Sequence, residues 1–134
     1  MTEDFLHFVW KYGLFNREEI IADTGDEIRV FKLGEHNHDA GPDFVNTRIQ
    51  IGSTTWAGNV EIHVKSSDWQ IHKHQRDKAY DNVILHVVYE HNQPAYRSNG
   101  EAIPTIELKF DPGLYDNYCR LLSQTTSLPC AEKI

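Results

Sequence analysis

Cysteine is scarce in this 134-residue chain, which holds only Cys119 and Cys130. Two cannot build a disulfide framework, and no histidine stands at zinc-finger spacing from them, so reduced thiols are expected. Positive charge is in deficit as well: 13 Lys and Arg stand against 20 Asp and Glu, a formal net charge of −7. Such a balance argues against a protein that coats nucleic acid non-specifically, because that mode needs many Lys and Arg contacts to phosphate. It leaves room for an enzyme that acts on phosphodiesters through a local basic patch. Long apolar runs are missing too. None approaches the roughly 20 residues needed to cross a bilayer, and MTEDFLHFVWKYGLF lacks the basic start and cleavage site of a secretory signal. A cytoplasmic location with no membrane partner is the expectation. Internal repeats and low-complexity tracts are absent from the sequence.

What is present suits one globular domain, with 40% hydrophobic and 25% charged residues. Thr2 can cap a helix whose first turn carries Glu3 and Asp4, favourable at the positive end of the helix dipole. Phe5, Phe8, Val9 and Tyr12 continue it at helical spacing up to Gly13. Asn16 with Glu19 suggests a second, short helix. IRVFKLG reads as a first strand, and EHNHDAGPDF as a loop. A second strand follows from Val45, and WAGNVEIHVK is a third, antiparallel to the second. SSDWQIHKHQRDKAY has a Ser-Asp start and no Gly or Pro, which predicts a helix over much of 68–80. NVILHVVYE is apolar nearly throughout and fits a strand buried on both faces. IPTIELKF alternates again and predicts a returning strand after a loop. Residues 1–111 are expected to form the α/β domain. Residues 112–134 read as a C-terminal helix and tail, whose packing partner lies in a missing C-terminal region of the chain.

In GNVEIHVKSSDW, Val60, Ile62 and Val64 alternate with Glu61, His63 and Lys65. One strand face therefore carries an acid, an imidazole and an amine. A solvated strand face with cross-strand ion pairs, about 0.2–1 kcal/mol each, would produce the same pattern. The chemical alternative joins Glu61 to Asp43 of GPDF. Two carboxylates from adjacent strands can hold Mg²⁺ or Mn²⁺ through hard oxygen ligands, while a nearby His or Lys stabilises charge on an opening phosphodiester. By alternation, though, Asp43 falls with Val45 and Ile49, the apolar set. His86 interrupts an apolar run, as a hydrogen-bonded core residue or as a partner orienting the Glu61/His63 site. Lys73, Arg76 and Lys78 form a local basic stretch that could meet a phosphate backbone or simply face solvent. Eight histidines, among them His36, His38, His72 and His74, keep a transition-metal (Zn²⁺ or Ni²⁺) site open.

The order helix, three strands, helix, buried strand, with Asp43 and Glu61 where the strands meet, resembles the PD-(D/E)XK nuclease superfamily and its αβββαβ, restriction-endonuclease-like core. That resemblance implies Asp43 and Glu61 as metal ligands and His63 or Lys65 in the catalytic position usually held by Lys. This sequence has Glu-X-His, with Lys65 two residues further on, and alternation does not choose between them. The runs HDAGPDFVNTRI and GNVEIHVKSSDWQIHKHQRDKAYDNVILHVVYEHN resemble, more closely, a bacterial family of uncharacterised proteins, DUF2851, usually longer than this chain. That family implies very little about activity, whereas the nuclease resemblance implies a metal-dependent nuclease or phosphodiesterase-like domain. A non-catalytic scaffold or nucleic-acid-binding module with the same fold is the alternative.

Overall fold

A computed structural model describes residues 1–72 and 77–125. Helix α1 (Glu3–Lys11) begins where Thr2, in extended conformation, accepts a hydrogen bond from the Phe5 amide at 3.2 Å. It buries Phe5, Leu6, Val9 and Trp10 against a sheet. The strands are β1 (Ile20–Ile21), β2 (Glu27–Lys32), β3 (Glu35–His36), β4 (Phe44–Ile51) and β5 (Thr54–Lys65), then β6 (Val83–Glu90), β7 (Ala95–Tyr96), β8 (Ala102–Ile103) and β9 (Thr105–Glu107). Helix α2 (Asp68–Ile71) and a 3₁₀ turn (Lys78–Tyr80) lie between β5 and β6, and α3 (Gly113–Thr125) ends the described chain.

Seven strands form a mixed sheet in the order β1-β2-β4-β5-β6-β9, with β3 paired to β4. The β1/β2, β2/β4 and β4/β5 pairs are antiparallel, while β5/β6 and β6/β9 are parallel. The chain is thus mixed α/β, a sheet flanked by helices. Segment 16–23 links the two ends of that sheet: besides forming β1, it donates from the Asn16 amide to Lys109 O and from the Asp23 amide to Thr105 O. Gly58 lets β6 start close against β5, for a Cβ there would stand 2.6 Å from Ile84 Cγ2 and 2.9 Å from Asn82 O.

Two apolar clusters cover the sheet. The larger joins α1 to Phe44, Ile49, Val60, Ile62, Leu85 and Val87, and includes Tyr115 and Cys119 of α3. Phe5 sits at its centre, edge-on to Tyr115 at 4.8 Å and to Phe110 at 5.4 Å. The C-terminal piece thus starts with a helix packed into the main core. The smaller cluster gathers Trp69, Val83, Ala95 and Ile103, fixed by the Trp69 indole N–H donating to Tyr96 O at 2.8 Å. Among the described residues no helix is long and apolar enough to cross a membrane.

Four expectations need correction. Asn16 starts no helix: its side chain accepts from the Glu18 amide, Glu19 takes a left-handed φ of 55°, and Ile20–Ile21 pair as a strand. The loop around 36 contains the short β3. The predicted helix over 68–80 stops at Ile71, and Asp77 is extended again before the 3₁₀ turn. Cys119 is disulfide-bonded rather than a reduced thiol.

Candidate active site

The site forms where β4 runs out and β5 continues. Registered pairs place Phe44 opposite Val60 but Thr47 opposite Gly58, so β4 holds one residue more than β5 across this span. Asn46, at φ 59°, belongs to that bulge, and Asn tolerates the left-handed region better than most residues. The extra residue reverses the alternation. Phe44, Thr47 and Ile49 are all fully buried, while Asp43 is released from the apolar set and set beside Glu61. Simple parity had assigned Asp43 to the wrong side, and the bulge is the reason.

Beyond Val60, β5 has β6 as a neighbour but no longer β4. Asp43 fills the vacated edge: its Oδ2 accepts from the Ile62 amide at 2.8 Å, while its own amide donates to Glu61 Oε1 at 3.1 Å. The two carboxyl groups lie close enough to act on each other's protonation. Glu61 is only 4% exposed. Burial first, and then the neighbouring charge of Asp43, push its carboxyl up from 4.5 to about 10. For Asp43 burial works the other way from its partners, and the partners win. The hydrogen bond and charge of His7, with the Ile62 amide, hold it below the usual carboxylate range. At neutral pH the pair therefore holds one proton, on Glu61, and one negative charge, on Asp43.

Imidazoles surround this pair. His63 Nε2 lies 3.5 Å from Glu61 Oε2, and His63 Nδ1 lies 2.7 Å from His86 Nε2, so one ring donates to the other. Both rings are essentially inaccessible, and His86 packs against the Trp69 indole at 5.1 Å. The His72 ring stands 5.0 Å from His63. From α1, His7 Nε2 reaches within 3.4 Å of Asp43 Oδ2. Burial opposes its protonation, but the hydrogen bond and charge of Asp43 raise it above the ordinary imidazole value. Glu3, one turn earlier, is raised by burial and then by Asp43. The His36 ring meets His7 at 5.1 Å and His38 at 4.3 Å.

The structure thus brings together Asp43, Glu61, His63 and His86. It leaves Lys65 apart, exposed at the end of β5 with its amide donating to Asp68 Oδ2. Lys78 is exposed on the 3₁₀ turn. Lys73, Arg76 and His74 lie outside the described residues. Sequence reasoning passed over Glu3 and His7. In the sequence Glu3 is helix-start chemistry and His7 carries no signal, yet both sit on the side of α1 that faces Asp43.

Among the described residues no group of three or more His, Cys, Asp or Glu is placed to hold a metal ion. That count suits hard and soft cations differently. Zinc takes at least three protein ligands. Mg²⁺ keeps several waters and takes one or two carboxylates.

A mixed sheet crossed at one strand end by the half-buried Asp43, the buried Glu61 and an imidazole row defines an α/β domain with a compact acid–imidazole site. A family model covering residues 3–134 matches the chain, which belongs to that family, described as protein of unknown function (DUF2851). No curated protein and no solved structure matches it.

Proposed function

We propose that Asp43 and Glu61 bind a divalent cation, Mg²⁺ or Mn²⁺, and that the domain hydrolyses phosphodiesters as a nuclease-type enzyme. The observation that carries this reading is the carboxyl pair itself: the Asp43 amide donates to the Glu61 carboxyl, and the Asp43 carboxylate accepts from the Ile62 amide on the open edge of β5. Further support is that α1, β2, β4, β5, α2 and β6 follow one another along the chain, with the short β1 and β3 interposed, a sequence of elements compatible with the nuclease core that the sequence resembles.

A cation held there would supply an acidified water and neutralise charge on a phosphoryl oxygen. The protein's own contribution is positioning. Asp43 is fixed by the Ile62 amide and His7. Glu61 is fixed by the Asp43 amide, and gives up its proton when a cation takes over the charge of the pair. His7 stands beside Asp43 and His63 beside Glu61, at 3.4 and 3.5 Å; His63, held between Glu61 and His86, is the one proposed to assist the attacking water. Lys65 has no part in this version of the site.

The test is cleavage of single-stranded and duplex DNA and RNA with Mg²⁺ or Mn²⁺, beside Asp43→Asn and Glu61→Gln variants whose folding is verified by circular dichroism. Activity that needs the metal and disappears in both variants is expected. Cleavage that survives both substitutions, or that needs no metal, would contradict the assignment. A folded protein that binds neither metal nor nucleic acid would point to a scaffold.

A further inference from the structure

Asn59 lies two residues before Glu61 on β5, about 7 Å away along the strand, at the register shift between Asn59 and Val60. It lines a cavity of about 770 Å³, together with Asn46, Trp56, Asn82, Arg97 and Asp81. The cavity exists because β6 begins opposite Asn59, leaving the Thr54–Gly58 stretch of β5 with a strand neighbour on the β4 side only. Its chemistry differs from that of the carboxyl pair. The side-chain amides of Asn46, Asn59 and Asn82 make no hydrogen bond to other described residues, so each offers both donors and an acceptor. Trp56 leaves 49% of its surface exposed, an unusual state for so large an aromatic. Arg97 is already committed, donating to Val83 O at 2.9 Å and to Ala102 O at 3.4 Å. Asp81 is occupied by Ser98.

A stacking surface with adaptable amides, and a guanidinium held by backbone carbonyls, suits a flat, neutral, hydrogen-bonding group better than a phosphate. Base edges are read by Asn amides, and bases stack on exposed aromatic rings. We infer that this cavity receives a nucleobase of the polynucleotide whose phosphodiester lies at Asp43 and Glu61. The inference rests on the phosphodiester reading for its substrate, and the spacing along β5 is about one nucleotide step.

Tryptophan emission gives a direct readout, because Trp10 and Trp69 are fully buried and Trp56 is not. Titration with neutral nucleosides avoids repulsion from the net charge of −7. Saturable quenching is expected, absent in Trp56→Phe and about tenfold weaker in Asn59→Ala or Asn82→Ala, the worth of roughly one or two hydrogen bonds. With Mn²⁺ present, a dinucleoside monophosphate should bind at least about tenfold tighter than the nucleoside, because the two subsites act together. No quenching by nucleosides, equal quenching by monosaccharides, or indifference to both asparagine variants would overturn the inference. Mn²⁺ binding measured on the same sample separates the two proposals. Nucleoside binding without Mn²⁺ binding sinks the metal site alone, and Mn²⁺ binding without nucleoside binding sinks the base pocket alone.

Discussion

Replacing Glu61 with Gln should make the protein more stable above neutral pH, not less. In the native fold the Glu61 carboxyl is raised from 4.5 to about 10 by burial and by Asp43. A folded-state pKa raised above the unfolded value means that the group's contribution is complete below about 4.5. It is lost progressively as pH rises toward 10. Each unit in that window is worth about 1.4 kcal/mol. By pH 7 the two and a half units above 4.5 amount to about 3 kcal/mol, a large part of the 5–15 kcal/mol that typically holds a domain together. Gln is nearly the shape of the protonated acid. Its oxygen can keep the bond from the Asp43 amide, and its NH₂ can donate to the Asp43 carboxylate. The variant therefore retains the contacts and lacks the pH term. Urea unfolding at pH 5, 6, 7 and 8 reads this directly. The stability difference, variant minus parent, should grow by about 1.4 kcal/mol per pH unit and favour the variant at pH 8. His7 is raised by Asp43 and not by Glu61, so its own loss of stabilisation with rising pH is common to both proteins. Parallel pH curves would refute the reasoning, because they would mean that Glu61 is charged or solvated in the fold.

Two further substitutions probe the frame around the site. Ser66 is fully buried, and its Oγ accepts from the amides of Asn92 and Gln93 while donating to Asn92 Oδ1. Ser66→Ala should cost about 2–3 kcal/mol, since it strands buried donors, and chemical denaturation should show it. Gly58→Ala drives a Cβ into Ile84 and the Asn82 carbonyl. It should cost about 1–3 kcal/mol and weaken nucleoside quenching, because the start of β6 must shift. A neutral outcome for either would mean that the local packing is looser than described.

The parts of the fold that could be read from sequence are those fixed locally. Thr2 followed by two acids and then apolar residues at helical spacing gave α1, and the unbroken apolar run gave β6. The antiparallel β4/β5 pair followed from two consecutive strand-like segments, one from Val45 and one in WAGNVEIHVK. What misled were places where a neighbour decides. Absence of Gly and Pro after Ser67 permitted a long helix but did not require one, and α2 ends after one turn. Ile20 and Ile21 joined the sheet because β2 offered an edge, overriding the capping signal at Asn16. The carboxyl pair could be proposed from residue type and order alone. Its geometry could not, because a single bulged residue at Asn46 decides which side Asp43 takes. Glu3 and His7 were invisible as site residues, for nothing in 36–40 positions of intervening sequence says that α1 packs its N-terminal turns against the end of β4.

The most direct test of the central claim is calorimetric titration of Mn²⁺ at pH 8, repeated in buffers of different ionisation enthalpy. If Asp43 and Glu61 take the cation, binding is saturable, is lost in Asp43→Asn and Glu61→Gln, and releases about one proton per ion, because Glu61 must ionise as the metal enters. Binding that persists in both variants, or no binding by the parent protein, would contradict the assignment of this carboxyl pair as a metal site.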